Sequence, residues 1–169
     1  MAQAEHDPDS VVVFVSTNSA LAKEVAQNVE RQAMGNAIAI KAVRRNAHAL
    51  VAASPEQAME WVNRIAPEHL TVDDDSDLIT VRNAGSVFVG DYSPQSAGDY
   101  AAGPNHVLPT AGAARFRGGL SVADFVKVIT VQKFTPDGLR EIAPVVTKLA
   151  ETEGLRAHAE SVRMRCGNA

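Results

Sequence analysis

The sequence predicts an α/β fold: part of a parallel sheet with flanking helices, followed by a small helical C-terminal domain. Three observations predict it. Val11 to Val15 is an unbroken apolar run, all valine but for Phe14, as expected of a strand covered on both faces in a parallel sheet. Strand-like and helix-like segments then alternate up to about residue 120, the pattern of parallel α/β units. From Ser121 onward only helical periodicity follows. A chain of 169 residues, 46% hydrophobic and 21% charged, is long and apolar enough to bury a core of its own.

The elements follow in order. After the Val11–Val15 strand, Asn18 or Ser19 is the expected N-cap of a helix. Leu21, Val25 and Val29, with Ala22, Ala26 and Ala33 beside them, form its apolar face, and Gly35 and Asn36 stop it. Ala37 to Val43 reads as a strand, and so does His48 to Ala52. Ser54-Pro55-Glu56-Gln57 supplies an N-cap, a first-turn proline and a capping-box glutamine. The helix it starts runs to about Ile65, buries Ala58, Val62 and Ile65, and ends before Pro67. Leu70 to Val72 and Ser86 to Val89 are short strands, and the acidic run Asp73 to Asp77 between them is a solvated turn. The result is a partial Rossmann-like parallel sheet over residues 1–120. In the C-terminal domain, residues 121–169, Ser121 is expected to cap a helix with Val122, Phe125, Val126 and Ile129 on one side. Thr135-Pro136-Asp137 caps the next, with Leu139, Ile142, Val146 and Leu149, and Gly154 breaks it. A last helix carries Leu155, His158 and Val162.

Several function classes are excluded. The net charge of −4 has both signs interspersed, with no basic stripe or aromatic platform for nucleic acid. The longest strongly apolar run, Val11 to Val15, is far too short to span a bilayer, so no membrane partner is expected. Cys166 is the sole cysteine, which rules out a disulfide within the chain, and MAQAEHDPDS is polar and acidic, unlike a secretory leader. The expected location is the cytoplasm.

The densest chemistry lies in Gly98 to Thr110, GDYAAGPNHVLPT. Its glycines and prolines suit neither a helix interior nor a central strand, so it reads as a loop on the rim of the sheet. Asp99 and His106 are each suited to be a metal ligand, a base or a hydrogen-bond donor, or simply solvated. Gln3 and His6 share a face if residues 1–6 are helical, a weak metal signal by itself. Glu68 and His69 place a carboxylate beside an imidazole, a pair able to share proton transfer near neutral pH, or else to cap a strand entry and pack on a sheet edge. No G-x-G-x-x-G follows any strand, so nothing in the chain independently marks a nucleotide site. Arg115, Arg117 and Lys127 read as a solvated face, and His48 as structural.

Four blocks carry a family resemblance: MAQAEHDPD (Met1 to Asp9), APEHL (Ala66 to Leu70), GDYAAGPNHVLPT with GLSVADFVK (Gly119 to Lys127), and ETEGLRAHAESVRMR (Glu151 to Arg165). In this order and spacing they resemble histidinol dehydrogenase over essentially the whole chain. The resemblance implies NAD-dependent oxidation of L-histidinol to L-histidine through the aldehyde, the last step of histidine biosynthesis. It implies zinc held by Gln3, His6, Asp99 and His158, an oxygen and nitrogen donor set without thiolate. By the same resemblance His69 is the base for the alcohol, and Glu68 activates the water added to the aldehyde. Substrate contacts fall to Gln3, His6, His69, Asp99, His106, Glu153 and His158. Residues 1–120 correspond to the second half of the family's catalytic domain, and residues 121–169 to a dimerisation domain. The homodimer shares its active sites, Glu153 and His158 coming from the partner subunit. Family members are well over twice this length, and their NAD contacts lie mostly in the N-terminal part that this sequence lacks. The expectation is therefore one part of a longer or split enzyme, inactive alone, with a separate N-terminal half as a possible partner. The alternative is a truncated, non-catalytic homologue that keeps zinc binding and dimerisation. A small zinc hydrolase using Glu68 is a third reading, which the family match disfavours.

Overall fold

The computed structural model describes residues 1–167, so Asn168 and Ala169 of the expected C-terminal domain lie outside it. The chain divides into two compact units, Met1–Phe125 and a second beginning at Val126. The architecture is mixed α/β with short parallel sheets and a helical C-terminal end. No helix among the described residues is long and apolar enough to cross a membrane.

The first unit holds two separate two-stranded parallel sheets. In the first, β1 (Val12–Ser16) pairs with β2 (Ala47–Val51), Val12 opposite Ala47. In the second, β3 (His69–Val72) pairs with β4 (Ser86–Val89), His69 opposite Ser86. Helix α1 (Ala2–His6) is short, yet Ala4 is fully buried with Ala33, Ala39 and Ala42 in the small cluster that Met1, Val12, Ile40 and Val43 surround. Side chains this small let helix backbones approach closely, which docks α1 on α3 (Ala39–Asn46).

Helix α2 (Ser19–Ala33) starts as its cap predicts: the Asn18 carboxamide oxygen accepts from the Ala20 and Leu21 amides at 3.0 and 3.1 Å. Its inward side is Ala22, Val25, Val29 and Ala33; Leu21 and Ala26 are exposed, contrary to the expected face. The segment Ala37–Val43 is helical, not the expected strand. Asn36 caps it by accepting from the Ile38 and Ala39 amides at 2.9 and 3.1 Å, and Ala39, Ala42, Val43 and Asn46 turn inward with helical spacing. Helix α4 (Pro55–Ile65) has the Ser54 cap, and Gln57 reaches back to accept from the Ala53 amide at 2.7 Å. Ile65 is exposed where burial was expected, because Ala66 takes its place at the helix end with a left-handed φ of 54° and only 1% exposure.

The acidic run forms a 3₁₀ turn, Asp75–Ile79, capped by Asp74. The Ser76 backbone N–H, 2.8 Å away, holds the Asp74 carboxyl below its ordinary value. Gly98–Thr110 is a loop only in part, since its first residues close helix α5 (Gln95–Tyr100). The expected helix from Ser121 is reduced to the 3₁₀ turn Val122–Phe125, in which the Ser121 hydroxyl accepts from the Ala123 amide at 3.2 Å. Beyond it Val126, Val128, Ile129 and Val131 stay exposed in a stretch without regular structure. The β-branched run VKVITV loses rotamer freedom in a helix and has no strand neighbour here.

In the second unit, α6 (Pro136–Thr152) and α7 (Arg156–Cys166) pack on one another. Gly154, with φ 77°, forms a Schellman turn between them: Leu155 N–H donates to Ala150 O at 2.8 Å and Gly154 N–H to Glu151 O at 3.0 Å. Leu139, Ile142 and Val146 are half-buried, whereas Leu149 is exposed. Arg163 pairs with Glu151 and lowers its carboxyl pKa.

Asn63 is the clamp between α4 and the approach to β4. Its side chain accepts from the Arg82 and Asn83 amides at 2.7 and 3.1 Å and donates to Thr80 O at 2.9 Å. Asn63→Ala is expected to lower stability by about 1–3 kcal/mol, since amides are left unpaired. Denaturant unfolding checks this; an unchanged midpoint with unchanged slope would contradict the clamp.

Candidate functional site

The site is built around the start of β3. The left-handed turn at Ala66 ends α4 and turns the chain sharply into Pro67, Glu68 and His69. Here the backbone is pinned: Gly85 N–H donates to Pro67 O and Ser86 N–H to Glu68 O, both at 2.9 Å. Gly85 must lack a side chain, because a Cβ there would sit 2.5 Å from Glu68 O and 2.8 Å from Pro109 Cδ. Arg115, expected on a solvated face, donates from its guanidinium to Arg64 O in the last turn of α4 and to Gly112 O. That orientation complements the negative end of the helix.

His69 is nine-tenths buried, its ring stacked on Phe88 with centroids 5.9 Å apart and planes 25° apart. Its Nε2 lies 3.7 Å from Asp99 Oδ1, while its Nδ1 is buried without a hydrogen-bond partner. Around this pair opens a cleft of ≈ 430 Å³ lined by Gln3, His6, Asp7, Ser10, Glu68, His69, Asp99, Tyr100 and His106. The volume suits a small polar molecule. The lining comes from α1 and the link to β1, from the start of β3, and from α5 and the loop after it. The cleft thus sits at the amino ends of β1 and β3, not at the carboxyl ends where α/β sheets commonly bind ligands.

Six of the sequence-predicted residues therefore meet in one place: Gln3, His6, Glu68, His69, Asp99 and His106. Glu153 and His158 belong to the second unit. Glu153 is the exposed C-cap of α6, and His158 is exposed on α7 and not on its inner face, which Ala159 occupies. Sequence reasoning passed over Asp7, Ser10 and Tyr100 on the cleft wall. Asp7 and Tyr100 stand directly beside predicted residues, so their adjacency was the available signal.

The cleft offers two kinds of chemistry. Glu68 and His69 can exchange protons with a bound molecule. Gln3, His6 and Asp99 supply an amide oxygen, an imidazole and a carboxylate, donors that fit zinc at an exchangeable site. Among the described residues, no three His, Cys, Asp or Glu side chains are gathered closely enough to hold a metal ion.

Fold and cleft together give a parallel α/β unit with a pocket of carboxylate, imidazole and amide side chains at the amino ends of its strands. The chain belongs to the histidinol dehydrogenase family, whose model matches residues 1–166. It is 46% identical over 172 residues to histidinol dehydrogenase of Methanosarcina mazei, covering 99% of this chain and 40% of that protein. It is 49% identical over 172 residues to that of Haloarcula marismortui, covering 98% of this chain and 41% of the relative. It is also similar to the crystal structure of histidinol dehydrogenase from Elizabethkingia anophelis, with a TM-score of 0.87, 39% identity, and 97% of this chain and 39% of that one covered. The chain thus spans about 40% of the length of the curated relatives it matches.

Gly85→Ala is expected to destabilise the protein by about 1–3 kcal/mol through forced overpacking. Hydrogen exchange at the Ser86 amide should accelerate with it, since that amide bonds Glu68 O. Unchanged stability and exchange would show that Pro109 and Glu68 have room to retreat.

Proposed function

We propose that the chain supplies the substrate and metal side of a histidinol dehydrogenase, an oxidoreductase converting L-histidinol to L-histidine through L-histidinaldehyde. The observation that carries this is the single cleft gathering Gln3, His6, Glu68, His69, Asp99 and His106. Residues 1–120 serve as the second half of the catalytic domain and residues 121–169 as the dimerisation domain. The exposed apolar side chains of Val122, Phe125, Val128, Ile129 and Val131 support a partner surface there.

His69 takes the proton of the substrate alcohol as a hydride leaves the same carbon. Glu68 then takes a proton from the water as it adds to the aldehyde, leaving a gem-diolate that loses a second hydride and a proton to give the carboxylate. His106 and, from the partner subunit, Glu153 hold the substrate. Gln3, His6 and Asp99, with His158 of the partner subunit, would hold zinc, which when bound offers ligand positions for the amine and imidazole of histidinol. NAD is the proposed hydride acceptor on the family's precedent. No G-x-G-x-x-G turn follows a strand of this chain.

The purified chain is expected to bind about one zinc per protomer, in keeping with one such ligand set. Metal analysis of Asp99→Asn and His158→Ala checks this; zinc content unchanged in both would remove these residues from the site.

Turnover separates this reading from that of a non-catalytic zinc-binding homologue. Combined with the complementary N-terminal portion of a relative, the chain should form NADH from histidinol. His69→Asn should cut that rate about a hundred- to ten-thousand-fold, the usual worth of a positioned base. Glu68→Gln should slow aldehyde oxidation at least as much as alcohol oxidation. Robust turnover by the 169-residue chain alone would contradict the shared assignment. Indifference to His69→Asn would contradict the base.

A further inference from the structure

Histidine rings at reactive sites are commonly oriented by a hydrogen bond at the nitrogen that does not react. His69 has no such bond: Nδ1 is buried and unpartnered among the described residues. The flat contact left to it is the Phe88 ring, 5.9 Å away between centroids. That distance lies in the range where offset aromatic stacking is favourable.

Phe88 is itself buried, at 7% exposure, and one side of its ring meets α5. The meeting point is Gly98, where a Cβ would lie 2.8 Å from both Cε1 and Cζ of Phe88. Any side chain at residue 98 would therefore push the helix and the ring apart. Gln95 ties the start of the same helix to β3, its Nε2 donating to Thr71 Oγ1 at 3.0 Å. With α5 seated this way, Asp99 next to Gly98 faces His69 Nε2 at 3.7 Å.

We infer that Phe88, seated by Gly98, is the positioning residue for His69. The ring fixes the plane of the imidazole, and the closeness of α5 fixes the distance from Nε2 to the Asp99 carboxylate. The inference deepens the reading of His69 as base and rests on it for its catalytic consequence, not for its geometry.

The test begins with the 169-residue chain and needs no turnover. The ring protons of His69 are followed by NMR, where the current of a stacked phenyl ring displaces them. Phe88→Tyr should keep that displacement. Phe88→Leu should abolish it, and Gly98→Ala should reduce it without altering either ring. His69 signals unchanged in both Phe88→Leu and Gly98→Ala would overturn the inference. If Phe88→Leu does not fold, Gly98→Ala and Phe88→Tyr decide by the same criterion. In the reconstituted enzyme, Phe88→Leu should lower kcat about tenfold to a hundredfold, as small misplacements of reacting groups do. The KM for histidinol should stay within about twofold and Phe88→Tyr should restore kcat, since the ring is the positioning element. A Tyr variant no better than Leu, or a loss confined to KM, would overturn it. A parent assembly without turnover would count against the proposed function alone, while the spectra still decide the positioning.

Discussion

The backbone of Pro67 and Glu68 lies directly against Gly85 and Ser86, and the cleft depends on that closeness. Two hydrogen bonds of 2.9 Å start the β3–β4 ladder there. They are possible only because Gly85 presents no Cβ to Glu68 O and Pro109. The left-handed residue Ala66 and the Arg115 guanidinium on the end of α4 prepare the same turn. Once the turn is set, the side chains of Glu68 and His69 enter the cleft from a paired strand start and not from a free loop. Groups carried on rigid backbone need less reorganisation to reach a reactive geometry.

The other walls of the cleft arrive by the same device, small residues at points of close approach. Ala4 seats α1, and with it Gln3 and His6, against Ala39 and Ala42. Gly98 seats α5, and with it Asp99, against Phe88. No large side chain among the described residues is fully buried, and the buried core is mostly alanines joined by Leu70, Val72 and Phe88. Such a core defines positions sharply but contributes little apolar burial, about 25 cal/mol per Å² removed from water. The run from Val122 to Phe134 leaves a dense stretch of large apolar side chains exposed.

Local chemistry made much of this legible in the sequence. The caps Asn18, Ser54 and Thr135 and the breaker Gly154 set helix limits through bonds to residues two to five positions away. The segment around Ala37–Val43 misled because AIAIKAV satisfies a period of two as readily as a helical one, and the deciding bond comes from Asn36 outside it. At Ser121 the cap signal was genuine, but the β-branched run after it does not carry a helix onward. The carboxylate, imidazole and amide side chains of the cleft were readable as motifs. Their convergence was not, because it rests on tertiary contacts, Gly85 meeting Pro109, Gly98 meeting Phe88 and Ala4 meeting Ala39, that no local pattern announces. Ser10 was missed for the same reason, whereas Asp7 and Tyr100 adjoin His6 and Asp99 in the sequence.

The starts of β1 and β3 and the helix α5 are proposed to make one site that holds metal and substrate together. Anomalous diffraction at the zinc edge from crystals soaked with zinc and L-histidinol tests it most directly. One dominant peak is expected about 2.0–2.3 Å from donor atoms of Gln3, His6 and Asp99. Histidinol density should lie between that peak and the Glu68–His69 pair. A dominant peak elsewhere, such as on the carboxylates of Asp73 to Asp77, with the cleft empty of both zinc and histidinol, would contradict it.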